Sequence, residues 1–286
     1  MLAPFFQYDF LQNALISGLL IGLIAPILGV FIVVRRMSLI ADALSHVTLA
    51  GIAASLYLEK RFAFMAGVSP LYLGMFFSIF GSLLIERLRS VYKHFQELSI
   101  PIILSGGIGV SVIFISLADG FNTDLFSYLF GSVSAVSRTD LFIIVGVTVI
   151  VLLLVFALYK ELFMLSFDEE HARSSGIPAK WLHFIFIVIV ALVIAASMRI
   201  VGILLVSSLM TLPVAASIRI AKGFKQAIFY SVLFGEISVI IGLISGFQLD
   251  LAPGGTVVVT SVIILLLTLG LNKFKRRFLH ERSRGA

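Results

Sequence analysis

The chain has 286 residues, 60% of them hydrophobic and only 13% charged, with a net charge of +6 and a mean hydropathy of +1.13. A soluble domain is about half apolar and about one quarter charged, so a water-soluble fold is excluded and an all-α, polytopic membrane protein is predicted. There is no cysteine, which excludes disulfides and thiolate zinc sites.

The opening, MLAPFFQYDF, has no basic run and contains Asp9. It does not read as a cleaved signal peptide, so the first apolar segment is expected to be retained. Nine segments are apolar enough to span a bilayer: 11–34, 37–58, 62–85, 100–118, 139–159, 182–198, 200–218, 227–247 and 256–272. No polar stretch is long enough to fold alone, so residues 1–286 read as one transmembrane domain. The first segment holds Gly18 and Gly22 in a GxxxG arrangement, which permits close helix approach. Pro26 there, and Pro213 in the seventh segment, predict kinks.

The second segment contains SLIADALSHVTLAGIAASLYL, in which Asp42 and His46 stand four residues apart with Ser45 beside them. That spacing puts both on one helical face. A charged residue at a helix centre costs about 2.5–3.5 kcal/mol on insertion scales, so it usually faces a bundle interior or an aqueous path. Carboxylate and neutral imidazole both ligate Zn²⁺, and both suit Mn²⁺. An Asp–His hydrogen bond bracing neighbouring helices, or a proton relay, fits the same pair.

The loop ERLRSVYKHFQELS (86–99) follows the third segment, and Gly106, Gly107 and Gly109 mark the fourth as another close-packing helix. LFSYLFGSVSAVS (125–137) is apolar but short and reads as a partial or surface helix. The connection KELFMLSFDEEHARSSGIPAKW (160–181) carries helix punctuation. Ser166 or Asp168 serves as N-cap, Glu169 and Glu170 suit the first turn, Gly176 suits the C′ position and Pro178 blocks continuation. A helix of about two turns is therefore predicted between the fifth and sixth spans. ASMRIVG (196–202) reads as a tight turn. Glu236, inside the eighth segment, is either a structural partner of another polar group or a third pathway ligand. Asp124 and Asp250 fall in outer loops. His94, His171 and His280 lie in basic inner surroundings, and His183 at the start of the sixth segment reads as an interface residue.

With nine spans and the N-terminus outside, only Lys60, Arg61, Arg138 and Arg199 of the 21 Lys and Arg residues fall outside. That asymmetry predicts an outer N-terminus and a cytoplasmic C-terminus. The basic tail 273–286, KFKRRFLHERSR within it, is then a topology anchor near anionic lipid rather than a nucleic-acid site.

RRMSLIADALSHVTLAGIA, SYLFGSVSAVSRTDL, FDEEHARSSGIPAKWL, VGILLVSSLMTLPVAASIRIA and DLAPGGTVVV occur in that order. Together they resemble the membrane permease of bacterial zinc/manganese ABC uptake transporters, over nearly the whole chain. SLIADALSHVTLAG is more similar to the zinc (Znu/Adc-type) branch than to the manganese branch. The resemblance implies a type II importer fold like that of the vitamin B12 permease. It implies two permease copies, a separate cytoplasmic ATPase, an extracellular metal-binding lipoprotein and residence in the bacterial cytoplasmic membrane. It places Asp42 and His46 on the metal pathway, with Zn²⁺ or Mn²⁺ as cargo and no permanent cofactor. It makes the region near 168–180 a coupling helix, with Asp168, Glu169, Glu170, His171, Ala172, Gly176, Ile177 and Pro178 as its contact residues. No G-x-x-x-x-G-K-[ST] loop occurs, in keeping with ATP hydrolysis on another chain and a non-enzymatic transport role here. A proton-coupled secondary transporter is the alternative, since it too would bury Asp and His. An intramembrane metalloprotease would need an H-E-x-x-H pair, which is absent.

Overall fold

The computed structural model describes residues 7–284 apart from 63–66, 93, 119, 121–122 and 134–135, and omits the side chains of 123–124, 204 and 272–284 as well. Its described residues form helices α1 (Asp9–Val34), α2 (Ile40–Arg61), α3 (Pro70–Val91), α4 (Ser99–Leu117), α5 (Thr123–Phe130) and α6 (Arg138–Ala157). There follow α7 (Tyr159–Phe167), α8 (Glu169–Ser174), α9 (Ala179–Val201), α10 (Ile203–Ile218), α11 (Phe224–Gln248) and α12 (Pro253–Arg284). Eight of these are long and apolar enough to cross a membrane, α10 being the shorter exception. The basic tail continues α12, and its side chains lie outside the described residues.

Burial sorts the helices into two layers. In α1, α2 and α9, 72–78% of the apolar window is buried, against 22–39% in α3, α4, α6, α11 and α12. The inner layer is sealed by Phe31, Leu44, Ile52, Phe186 and Met210, all fully or almost fully enclosed. The outer layer turns Phe76, Phe142, Phe156 and Leu271 outward, as a lipid-facing surface requires. Gly18 and Gly22 receive α11 side chains Val239, Leu243 and Glu236, so the GxxxG arrangement acts in the α1–α11 contact. Of the three α4 glycines only Gly107 meets a neighbour, while Gly106 and Gly109 face open space.

Two spans have boundaries that differ clearly from the sequence expectation. The third span runs 70–91 rather than 62–85, because Pro70 occupies the first helical turn and its fixed φ suits that position. The sixth runs through Val201, so ASMRIVG is mostly helix, and the break falls on Gly202 alone, with φ +85°. A left-handed residue there costs glycine little. Pro26 and Pro213 both sit inside continuous helices.

The short α10 still connects the two membrane levels. Its first residues follow Gly202, which abuts the backbone of Leu129 and Gly131 after α5, while Gly254 of α12 abuts Val201. At its other end Ser217 bonds Ser231 of α11 at 2.7 Å, and Val214 packs with Val30 and Ala227. The start of α11 shares this second level with the end of α1, since Phe224 lies 5.2 Å from Phe31 between ring centroids. Sixteen residues span about 24 Å at 1.5 Å each, less than a bilayer core of about 30 Å. The partial helix α5 fills the remainder, with Leu125, Tyr128 and Leu129 buried and Phe126 exposed. Irregular backbone at this depth is thus enclosed by protein.

Candidate functional site

From Ile40 to Leu56 every residue of α2 is buried except Asp42 and His46, which are half-buried. Within that Ile40–Leu56 stretch the pair is the single polar opening. It lies in the first two turns of α2 rather than at the helix centre. Free backbone N–H groups at a helix start favour an anion, so the carboxylate is easier to hold there than mid-span. α4 backs the pair closely: a Cβ on Gly107 would stand 2.9 Å from the Val47 nitrogen and 3.2 Å from the His46 carbonyl carbon. Thr48 Oγ1 donates to the Leu44 carbonyl at 2.6 Å, whereas Ser45 Oγ, 1% exposed, has no hydrogen-bond partner among the described residues. His46 lies within reach of the Asp42 charge. No described side chain hydrogen-bonds either member, so the interhelical brace is not formed and both remain free to hold a third party.

Glu236 does not join them. It is half-buried on α11 and lies against α1, where a Cβ on Gly22 would sit 3.4 Å from its carboxyl carbon and Oε2. Among the described residues no group of three or more His, Asp or Glu side chains is placed to hold a metal. A third ligand from Glu236 would need a different arrangement of α1 and α11.

The predicted loop helix is α8. Asp168 is its N-cap, accepting from the His171 N–H at 2.8 Å, and Ser166 instead bonds back to Leu162 within α7. Arg173 pairs with Glu169 at 2.5 Å one turn away. The helix ends at Ser174, earlier than the expected 180; Gly176 follows with φ +82° and Pro178 caps α9. Ala172 is fully buried and anchors α8 on Leu165, Ala179 and Leu182, with Ile177 alongside. Asp168, Glu169, Glu170, His171, Gly176 and Pro178 are exposed, so one small residue fixes a helix whose remaining surface is polar and free.

Two polar networks escaped sequence reading. At one end of the helices, Ser137 and Asp140 form a capping box on α6, a pattern legible in SRTD. Asp140, 3% exposed, also pairs with Arg199 of α9, whose Nε donates to Tyr128 of α5 at 3.2 Å. These groups and Glu59 line a cavity of about 460 Å³. At the opposite level Arg35 Nη2 donates to His183 Nδ1 at 2.5 Å. His183 is 6% exposed and stands 3.2 Å from Glu86, so at the start of α9 it is packed into this network. Burial, then the neighbouring Arg89 charge, brings Arg35 down to about 10, which leaves it a cation at neutral pH.

The model of the ABC 3 transport family matches residues 7–272. A membrane protein of a probable metal transport system from Treponema pallidum (strain Nichols) is 36% identical over 270 residues, covering 94% of this chain and 98% of the relative. The manganese import system permease protein ScaB of Streptococcus parasanguinis is 33% identical over 277 residues, covering 97% and 96%. PsaBC from Streptococcus pneumoniae in complex with Fab holds a chain of 32% identity that superposes with a TM-score of 0.79, covering 94% of this chain and 95% of that one.

Proposed function

Because the chain belongs to the ABC 3 transport family, we propose that it is the membrane permease of an ATP-driven importer of a divalent transition metal. The observation that carries the reading is the Asp42–His46 opening in the otherwise buried Ile40–Leu56 stretch of α2. A carboxylate offsets the ion's charge, and an imidazole disfavours Mg²⁺ and Ca²⁺, which prefer all-oxygen sites. Two side chains make an incomplete shell, which suits an ion that must also leave. Mn²⁺ is the first candidate cargo, since ScaB is a manganese import permease. Zn²⁺, expected from the form of SLIADALSHVTLAG, is the second; the donor pair accepts either.

The polar surface of α8 is the proposed docking site for a separate cytoplasmic ATPase. A second copy of the chain completes the pathway, and an extracellular metal-binding lipoprotein delivers the ion. The N-terminus lies outside a bacterial cytoplasmic membrane and the C-terminus inside. The test is uptake into proteoliposomes of the assembled complex, with Mn²⁺ and Zn²⁺ in competition. ATP-dependent accumulation of one ion supports the reading. Uptake driven by a proton gradient without the ATPase would replace it with secondary transport.

A further inference from the structure

Arg35, His183, Glu86 and Arg89 bring together the end of α1, the start of α9 and the end of α3. A guanidinium has donors and no acceptor, so His183 Nδ1 accepts from Arg35. The ring proton then sits on Nε2, 3.2 Å from Glu86 Oε2; Arg89 Nη1 lies 3.9 Å from the same oxygen. The result is a directed chain, guanidinium to imidazole to carboxylate. A cavity of about 380 Å³ continues it to α8, with Glu86, Arg89 and His183 on one side and Glu169 and Arg173 on the other. Glu169 is close enough to act electrostatically on both Arg35 and Arg89.

We propose that the Arg35–His183–Glu86 chain is the linkage by which movement of α8 reaches the α1–α2 turn, and through it Asp42 and His46, with His183 as the positioning residue. This rests on the reading of α8 as the ATPase-docking element. Three features support it. The turn is narrow and strained: Arg36 has φ +56°, and Met37 N–H returns to the Ile32 carbonyl at 2.9 Å. A non-glycine residue in that region needs its surroundings to hold it, and Arg35, the residue before, is held by His183. α2 begins at Ile40, so Asp42 is within two residues of the turn's exit. Finally, the chain is only partly closed: His183 Nε2, Glu86 Oε2, Arg35 Nη1 and Arg89 Nη1 are buried without a hydrogen-bond partner among the described residues. A small rotation of the imidazole would align the Glu86 contact. Two discrete arrangements of one packed network are what coupling between sites requires.

The test uses the complete complex in proteoliposomes, comparing His183→Leu with His183→Gln, whose amide offers both an acceptor and a donor. His183→Leu is expected to assemble and hydrolyse ATP within about twofold of wild type but to lose at least about tenfold in metal taken up per ATP, a typical size for coupling between sites. His183→Gln is expected to restore most of it. A single cysteine at Leu39, 53% exposed in the α1–α2 turn, gives a readout independent of transport. Its alkylation rate should change with nucleotide in wild type and His183→Gln and stay fixed in His183→Leu. Normal coupling in His183→Leu, or no recovery in His183→Gln, overturns the linkage. Should His183→Leu fail to assemble, Glu86→Leu cuts the chain from its other end, and normal metal uptake per ATP there overturns it equally. A wild-type complex that moves no metal defeats the transport reading instead, and the Leu39 readout still decides the linkage.

Discussion

Asp42 and His46 have no hydrogen-bonding role among the described residues, and that makes them separable from stability. Removing the Asp42 charge forfeits about 0.3–1 kcal/mol of helix-start electrostatics, too little to unfold the chain. Asp42→Asn and His46→Ala are therefore expected to assemble normally yet lose at least about tenfold in labelled Mn²⁺ or Zn²⁺ uptake per complex, a scale at which even supporting residues of metal sites register. Asp140 is the opposite case. It is 4% exposed at its side chain, caps α6 and neutralises Arg199. Asp140→Ala leaves that guanidinium partly buried and unpaired, with an expected loss of about 3–5 kcal/mol, read as a lowered unfolding midpoint in detergent. An unshifted midpoint would show the pair to be ornamental. The contrast explains what sequence could reveal. An acid and a histidine inside an apolar run are conspicuous. Arg35, Glu86, His183, Asp140 and Arg199 each sit near a span end, where charge is ordinary, and only packing brings Arg35 to a histidine 148 positions away.

The elements contain two glycines in the same backbone region with different surroundings. Gly176, after α8, has φ +82° and open space where a Cβ would project; Gly202, between α9 and α10, has φ +85° and the α5 backbone in that place. Gly176→Ala therefore meets only left-handed strain, about 1–2 kcal/mol, and is expected to assemble with weakened ATPase association in a pull-down. Gly176→Pro also removes the N–H that bonds the Arg173 carbonyl at 3.1 Å and is expected to abolish coupled uptake. Gly202→Ala adds a collision with Leu129 and Gly131, and is expected not to reach the membrane in folded form. Equal yields of Gly176→Ala and Gly202→Ala would contradict this account. The punctuation of α8 was legible because capping chemistry is local. The start of α3 was misplaced because FAFMAGV before Pro70 is as apolar as a helix, and the break before α10 was blurred because α5, distant in sequence, accommodates it.

At the scale of the whole molecule, the charge asymmetry predicts which side each loop occupies, and the absence of cysteine allows a clean check. Arg61→Cys at the end of α2 and Glu170→Cys on α8, both exposed positions, are expected to react with an impermeant maleimide from opposite faces of the membrane. Reaction of both from outside would overturn the topology. Hydropathy marked nine crossings where eight helices are long and apolar enough and α10 is shorter, and it could not tell the buried helices α1, α2 and α9 from the outward-facing ones, because both are rows of Leu, Val and Phe. The inward position of the Asp42–His46 pair has an electrical consequence. In the proposed orientation α2 begins at the cytoplasmic level, so the pair lies in its inner third. A cation reaching it from outside has crossed most of the voltage drop. One elementary charge moved through the full drop gains about 2.3 kcal/mol per 100 mV, and a divalent ion carries two. An inside-negative membrane would thus help retain the ion at the pair, and the ATP-driven step would be spent largely on opening and resetting the path rather than on pushing charge uphill.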